Sequence, residues 1–147
     1  MHWEIKKIDE LSGKEMYEIL NLRNEVFVLE QNCPYLDTDQ KDIDAIHVMG
    51  YQNNKLIAYC RLLAPGVSYT SASIGRVVTA KSHRRTGAGK TLMKKAVENT
   101  FTIFNCNEIT ISAQLYLKKF YESFGFITVG EVYLEDDIDH IKMILKK

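Results

Sequence analysis

The chain has 147 residues, with 19 basic and 19 acidic side chains and a formal net charge of zero. This length is typical of one domain, so residues 1–147 are interpreted as a single unit. The balanced charge argues against a nucleic-acid-binding module, and no stretch reaches the roughly 18 apolar residues of a membrane span or forms the apolar core of a signal peptide. We therefore expect a cytoplasmic protein without a nucleic-acid or membrane partner.

The N-terminal part of the chain predicts a strand, a helix and a loop, in that order. Residues 3–8 favour a strand. An amphipathic helix is predicted over 13–29, because Ser12 and Glu15 have capping-box spacing and apolar residues then recur every three or four positions. Residues 31–44 are polar and rich in aspartate, which predicts a loop or a short helix.

The remainder predicts strands alternating with helices. Strands 47–51 and 56–63 are predicted to form a hairpin, because asparagines in the turn tolerate a positive φ. The other expected elements are a strand at 73–79, a long helix at 89–104, a strand at 108–112, a short helix at 115–124 and a final hairpin of strands 126–132 and 140–145. This order predicts a mixed sheet with helices packed against it.

No metal or disulfide is predicted. The three cysteines Cys33, Cys60 and Cys106 lack the paired spacing of a zinc site or a disulfide framework, so buried thiols are the expectation, with a catalytic Cys33 as the alternative. The acidic run 37–44 lacks the glycine and glutamate of a calcium loop.

The segment from His83 to Thr91 combines glycines and basic residues at the start of the long helix. Such a loop binds phosphate well, because glycines let backbone amides approach and the helix N-terminus is partly positive. A nucleotide triphosphatase loop would need glycine where Arg84 stands, and a dinucleotide-binding turn would need glycine in place of Leu92. Taken alone, the segment is equally compatible with a solvated helix start.

Four ordered motifs resemble one family. The pattern Arg84-x-x-Gly87-x-Gly89 resembles the acetyl-CoA motif of the GNAT superfamily of N-acetyltransferases, and residues 114–126 resemble that family's later helix, with a tyrosine four residues before Gly-Phe. Residues 22–35 and 139–143 are similar to the ElaA-type branch. The resemblance covers nearly the whole chain.

The resemblance implies an α/β (α+β) fold: a strongly twisted, mixed sheet of six to seven strands with helices on both faces, splayed beside residues 74–79. Acetyl-CoA would bind in the splay as acyl donor. Its pantetheine would run along Val77, Val78 and Thr79 and reach Gln114, where many relatives carry asparagine. The pyrophosphate would lie on a loop formed by Arg84, Arg85, Thr86, Gly87, Ala88, Gly89 and Lys90.

Three chemical roles follow from the resemblance. Tyr121 matches the tyrosine that faces the cofactor sulfur and is predicted to be the general acid; a core tyrosine with a satisfied hydroxyl is the alternative. An amide near Val78 would hold the oxyanion. The candidates for the general base are Glu30, Glu135 and His140. His140 is attractive because histidine titrates near neutral pH. The alternative is that His140 only forms a hydrogen bond within the last hairpin.

The end of the first helix is predicted to line the acceptor side of the cleft. Arg23, Glu30 and Gln31 would contact the substrate; the alternative is a surface ion pair between Arg23 and Glu30. The acidic residues at 37–44 either attract a cationic amine or form a solvated loop.

The predicted function is transfer of acetyl from acetyl-CoA to a primary amine of a small molecule or peptide, by direct attack in a ternary complex. A non-catalytic acyl-CoA-binding or sensing domain is the alternative, and acyl-homoserine-lactone synthesis is a second enzymatic one, although such enzymes are longer. The edge of the final hairpin would allow a homodimer.

Overall fold

Seven strands form one mixed sheet in the computed structural model, which describes residues 1–147. Their order is β1-β2-β3-β4-β5-β7-β6, and all neighbours are antiparallel except β4 and β5. The strands are β1 (His2–Lys7), β2 (Ile46–Gln52), β3 (Lys55–Leu63), β4 (Ala72–Thr79), β5 (Glu108–Gln114), β6 (Ile127–Glu135) and β7 (Ile138–Lys146). The predicted mixed sheet is confirmed, with strands that begin or end up to a few residues from the predicted bounds.

Four α-helices pack around this sheet: α1 (Gly13–Arg23), α2 (Lys41–Asp44), α3 (Ala88–Phe104) and α4 (Lys118–Glu122). The predicted capping box is confirmed, because the Glu15 amide donates to Ser12 Oγ at 3.0 Å and the Ser12 amide donates to Glu15 Oε1 at 2.8 Å. The helix predicted to run through residue 29 changes character after Arg23 and continues as a π-helix over Asn24–Glu30. No helix is both long and apolar enough to cross a membrane.

Strand β3 lies at the centre of the core. Successive side chains of a strand point to opposite faces, and every β3 residue after Lys55 is buried, so both faces of the sheet are covered here. Helices α1 and α3 both pack against this strand, α3 with the fully buried Leu92, Met93 and Ala96. The predicted coverage of both faces is confirmed.

A bulge in β4 opens the sheet. Gly75 pairs with Arg61 and Val78 pairs with Tyr59, so β4 has one residue more than β3 between these two pairs. The extra residue is Arg76, which has a φ of +52°. Strand β4 then pairs with β5 only at Ala72 and Ser73. Beyond Ser73 the two parallel strands separate, which confirms the predicted splay.

Strand β6 is an edge strand. All nine of its residues are exposed, and the turn that joins it to β7 has a positive φ at Asp136 and Asp137. A homodimer through this edge stays a prediction.

Candidate active site

One cleft of about 610 Å³ occupies the splay between β4 and β5. Its walls come from the π-helical segment and the residues after it, from the loop before α3, from α4 and from the β6–β7 hairpin. The predicted residues that line it are Glu30, Gln31, Cys33, Val77, Val78, Thr79, Arg84, Arg85, Gly87, Gly89, Lys90, Gln114, Tyr121, Glu135 and His140. Segments far apart in the sequence therefore meet in one cavity.

The loop before α3 presents free backbone amides to the cleft. Gly87 precedes α3 with a φ of +88°, and no side chain caps the helix. The amides of Ala88, Gly89 and Lys90 have no acceptor within the protein. Thr86 Oγ1 donates to the His83 carbonyl at 2.6 Å and fixes the loop. These features make an anion cradle at a helix N-terminus.

Arg84 and Glu30 join the two sides of the cleft. Arg84 donates from Nη1 and Nη2 to the two carboxylate oxygens of Glu30, at 2.6 and 2.7 Å. This bidentate bond lowers the pKa of Glu30 and raises the pKa of Arg84. Arg84, predicted to bind phosphate, is thus bonded to Glu30, predicted to contact the acceptor. The alternative prediction of a surface ion pair between Arg23 and Glu30 is wrong.

Gln31 and Gln114 form a second bridge. Their amides bond reciprocally, with Gln31 Nε2 donating to Gln114 Oε1 at 3.1 Å and Gln114 Nε2 donating to Gln31 Oε1 at 3.2 Å. One residue was predicted on the acceptor side and the other on the pantetheine side. The pair lies where those two halves of the cleft meet.

Tyr121 presents an unbonded phenol to the cleft. The residue is buried and lines the cavity, and none of the hydrogen bonds within the protein involves its hydroxyl. Burial raises the pKa of the phenol, and Cys60 and Tyr116 act in the same direction, so the hydroxyl stays protonated at neutral pH. Tyr121 belongs to the hydrophobic core, as the alternative expects, but no protein group bonds to its hydroxyl, and its role as the general acid stays a prediction.

His140 offers a free ring nitrogen on the opposite wall. Its Nδ1 lies 2.7 Å from the Ile138 carbonyl, which can only accept, so Nδ1 carries the hydrogen and Nε2 of the neutral ring carries a lone pair. Nε2 lies 3.5 Å from Glu135 Oε2. The ring is buried and stacks on Tyr133 with centroids 6.0 Å apart. The two predicted alternatives coexist: one nitrogen bonds within the hairpin and the other remains available.

Cys33 is placed unfavourably for a nucleophile. Its Sγ contacts the carbonyl oxygens of Gln31 and Asp136, both at 3.4 Å. Burial raises the pKa of the thiol, so the reactive thiolate is scarce. The structure therefore gives no support to a catalytic Cys33.

Three arginines and three aspartates form a closed ring of alternating charge behind the acceptor side. Each arginine contacts two aspartates and each aspartate contacts two arginines. In order around the ring, which we call the arginine–aspartate ring, the members are Arg23, Asp42, Arg61, Asp39, Arg76 and Asp37.

The ring corrects two predictions. Arg23 is completely buried, donating to Asp37 and Asp42 at 2.6 and 2.8 Å, so the prediction that it contacts the acceptor is wrong. Neither a solvated loop nor a trap for a cationic amine describes the aspartates of 37–44 that belong to the ring. The sequence held one signal: Arg23 occupies a position of the apolar helix face, where a charge needs a buried partner.

Arg76 was not predicted as a site residue, and Asp37 was predicted only as a member of the acidic run 37–44. Both residues line the cleft, and both belong to the ring. The only signal in the sequence for Arg76 is that it is a charged residue within a predicted strand. Nothing in the local pattern around Asp37 distinguishes it from its acidic neighbours.

Comparison with known proteins decides the family. A family model described as an acetyltransferase (GNAT) domain matches residues 15–147. The chain belongs to the GNAT acetyltransferase family. Among relatives of this chain, UPF0039 protein sll0451 of Synechocystis sp. is 40% identical over 147 residues, which cover 99% of this chain and 96% of that protein. Protein ElaA of Escherichia coli (strain K12) is 41% identical over 145 residues, 97% of this chain and 95% of ElaA.

Solved GNAT structures agree with this assignment. The crystal structure of Escherichia coli ElaA matches with a TM-score of 0.91 and 40% identity, covering 97% of both chains. That of an acyl-CoA N-acyltransferase from Pseudomonas aeruginosa matches with a TM-score of 0.92 and 41% identity, again over 97% of both chains. The resemblance to the ElaA-type branch is confirmed.

Proposed function

We propose that this GNAT protein is an N-acetyltransferase that transfers acetyl from acetyl-CoA to a primary amine of a small molecule or peptide, by direct attack in a ternary complex. One observation carries the proposal: a single cleft holds a free anion cradle, an unbonded phenol and an unbonded imidazole nitrogen. A domain that only bound or sensed acyl-CoA would need the cradle but neither proton-transfer group.

The cofactor would enter along the splayed strand. The pyrophosphate would accept from the amides after Gly87, with Arg85 and Lys90 as nearby positive charges. The backbone of Val77, Val78 and Thr79 has no β5 partner, so it can pair with the amides of pantetheine. Binding of Arg84 to phosphate, or of Gln114 to pantetheine, would require each to leave the partner it has here.

Acetyl transfer then needs two proton movements. The amine attacks the thioester carbonyl and gives up a proton to His140 Nε2, while a β4 amide near Val78 stabilises the oxyanion. When the tetrahedral intermediate collapses, the carbon–sulfur bond breaks and Tyr121 protonates the departing thiolate. The products are an N-acetyl amine and free CoA; the protonated His140 then releases its extra proton to water, and the Tyr121 phenolate takes one up from water.

The acceptor would occupy the end of the cleft between Gln31 and the β6–β7 hairpin. Glu135 is half exposed there, and its charge favours an approaching ammonium group. All three cysteines are unpaired, which supports a reducing compartment such as the cytoplasm for this chemistry.

The first experiment is thermal melting with acetyl-CoA, CoA or ATP in excess at fixed salt, because ligand binding raises apparent stability. A shift with the CoA species and none with ATP is expected. Acetyl transfer to a panel of primary amines follows, with release of free thiol as the signal.

His140→Ala tests the base in the same assay. We expect slower transfer and loss of the acidic limb of the pH–rate profile. Cofactor binding without transfer to any amine would favour the sensing domain, and absence of both would reject the proposal.

A further inference from the structure

Arg76 differs from the other arginines of the arginine–aspartate ring. The side chains of Arg23 and Arg61 are 0% and 4% exposed, whereas that of Arg76 is 28% exposed and lines the cleft. A purely structural arginine would be enclosed as those two are. Arg76 is the one guanidinium of the ring that meets the cleft.

Its hydrogen bonds leave one NH₂ group free. Nη2 donates to the Asp37 carbonyl at 2.8 Å and lies 3.5 Å from Asp39 Oδ2. Nε lies 2.8 Å from Asp37 Oδ1, although the N–H does not point along that line. Nη1 has no partner in the protein. The guanidinium is thus held from one side with a free NH₂ group on the other.

The charge that the ring shows to the cleft is positive. Asp37 also lines the cleft, but Arg23 and Arg76 share its carboxylate and it is almost fully buried. Asp39, the other exposed member, does not line the cleft. An anion in the cleft would therefore meet Arg76 with little repulsion from the aspartates.

The β4 bulge sets the position of this charge. The positive φ of Arg76 marks the extra residue, and Val77 and Val78 follow directly. A strand rises about 3.3 Å per residue, so the backbone of Arg76 lies only about 7 Å from that of Val78, near which the reacting carbonyl is placed. An anion at Nη1 and an amine at the carbonyl would fit within one small molecule or one terminal residue.

The hairpin that contributes to the same cleft has the opposite charge. Glu135 and Asp136 on the β6–β7 hairpin line the same cleft, together with His140. The same cleft therefore offers acidic groups that favour an amine and a cationic group that favours an anion.

From this arrangement we propose that the acceptor is an amine that also carries a carboxylate, which Arg76 binds through Nη1. This inference rests on the proposed acetyl transfer and specifies its substrate class. A guanidinium already fixed by Asp37 suits the task, because less side-chain freedom is lost on binding.

The experiment compares matched acceptors. The kcat/KM of γ-aminobutyrate and that of 6-aminohexanoate are each compared with the kcat/KM of the corresponding carboxamide. In both pairs the amine is several bonds from the altered group, so the change affects mainly the charge of the carboxyl end. We expect kcat/KM to favour each carboxylate by on the order of 10- to 100-fold, mainly through KM, as a charge-assisted hydrogen bond would give. Arg76→Gln should abolish the preference and Arg76→Lys should retain part of it.

Asp39→Asn is the matched control, because it breaks the ring at its other exposed member without altering a cleft residue. It should keep the carboxylate preference even if its melting temperature falls as far as that of Arg76→Gln. Loss of the carboxylate preference in both Arg76→Gln and Asp39→Asn would overturn a specific role for Arg76. The same conclusion would follow if the unmodified protein acetylated acids and carboxamides with equal kcat/KM.

Equilibrium binding separates this inference from the proposed function. Calorimetry of γ-aminobutyrate and its carboxamide on the CoA-saturated protein requires no turnover. Preferential binding of the acid, lost in Arg76→Gln, would support the anion site even if no acetyl transfer occurred. Equal or absent binding of both compounds, combined with no preference in transfer, would reject it.

Discussion

One end of the cleft is formed by backbone groups and the other by side chains. The end before α3 uses consecutive backbone amides in one short loop, with a glycine that supplies the required φ. The acceptor end uses side chains from β4, the π-helical segment and the last hairpin, held by ion pairs and hydrogen bonds. Under the proposed function, backbone groups would recognise what every donor shares, a pyrophosphate and a pantetheine arm, whereas side chains can differ between proteins and so would determine the acceptor. Tyr121 lies where the two ends meet.

Tyr121→Phe should have the largest effect, because it removes a proton donor from the junction without disturbing either end. We expect kcat to fall by on the order of 100- to 10,000-fold, with the dissociation constant for acetyl-CoA unchanged. Steady-state kinetics and calorimetry check the two quantities. Turnover equal to that of the unmodified protein would assign the phenol a structural role.

Asp42→Asn should damage the acceptor end through stability. It removes a carboxylate that bonds to both Arg23 and Arg61 and is almost fully buried, so we expect a loss of about 3 to 5 kcal/mol in the free energy of unfolding. The more exposed Asp39→Asn should cost about 1 kcal/mol or less. Urea unfolding compares the two, and equal losses would contradict a buried ring.

The same ring predicts an acid limit to stability. Burial raises the pKa of Asp42, but the bonds from Arg23 and Arg61 outweigh it, so the net pKa is below the ordinary value of 3.8; Asp39 shifts likewise. Carboxylates with a depressed pKa stabilise the fold above the unfolded value, and this contribution is lost as pH falls through the folded one. The stability of the unmodified protein should therefore decline below about pH 4, and this part of the decline should be smaller in Asp42→Asn. Denaturant unfolding across pH measures the difference.

Gly87→Ala tests the backbone end. A side chain at this positive φ costs about 1 to 2 kcal/mol of strain, and relaxation of the loop should weaken acetyl-CoA binding by on the order of tenfold. Gly66→Ala is a matched control, since Gly66 has a φ of +92° against +88° and both positions are open. Both variants should lose similar stability, and only the first should lose affinity. Unchanged affinity in Gly87→Ala would separate the cofactor from this loop.

Glu30→Gln should have the smallest effect, in the opposite direction. It weakens the bond that holds Arg84 away from a bound phosphate, so we expect acetyl-CoA affinity to rise by about two- to tenfold at low salt, less at high salt. Calorimetry at two salt concentrations checks this. A fall in affinity would mean that Glu30 itself positions Arg84 for the cofactor.

Regions specified by short segments were predicted well from sequence. The Ser12 capping box, the asparagine turn between β2 and β3 and the glycine before α3 each depend on backbone preferences of a few consecutive residues. The π-helical continuation after Arg23 escaped prediction, because its apolar spacing still resembles that of an ordinary helix.

The sequence by itself determined the family, the order of the elements and the position of the glycine-containing loop before α3, since these depend on local pattern and motif spacing. Tertiary structure alone decided which charges pair. Arg23 reaches Asp42 across 19 positions, Arg84 reaches Glu30 across 54 and Gln31 reaches Gln114 across 83. From the sequence alone, several acidic residues were equally plausible ion-pair partners for each arginine. Only the bulge in β4 and the path of residues 31–44 beside it bring Arg76 and Asp37 together at the cleft, because a charge removed from water is stabilised only by the opposite charges that the fold places within reach.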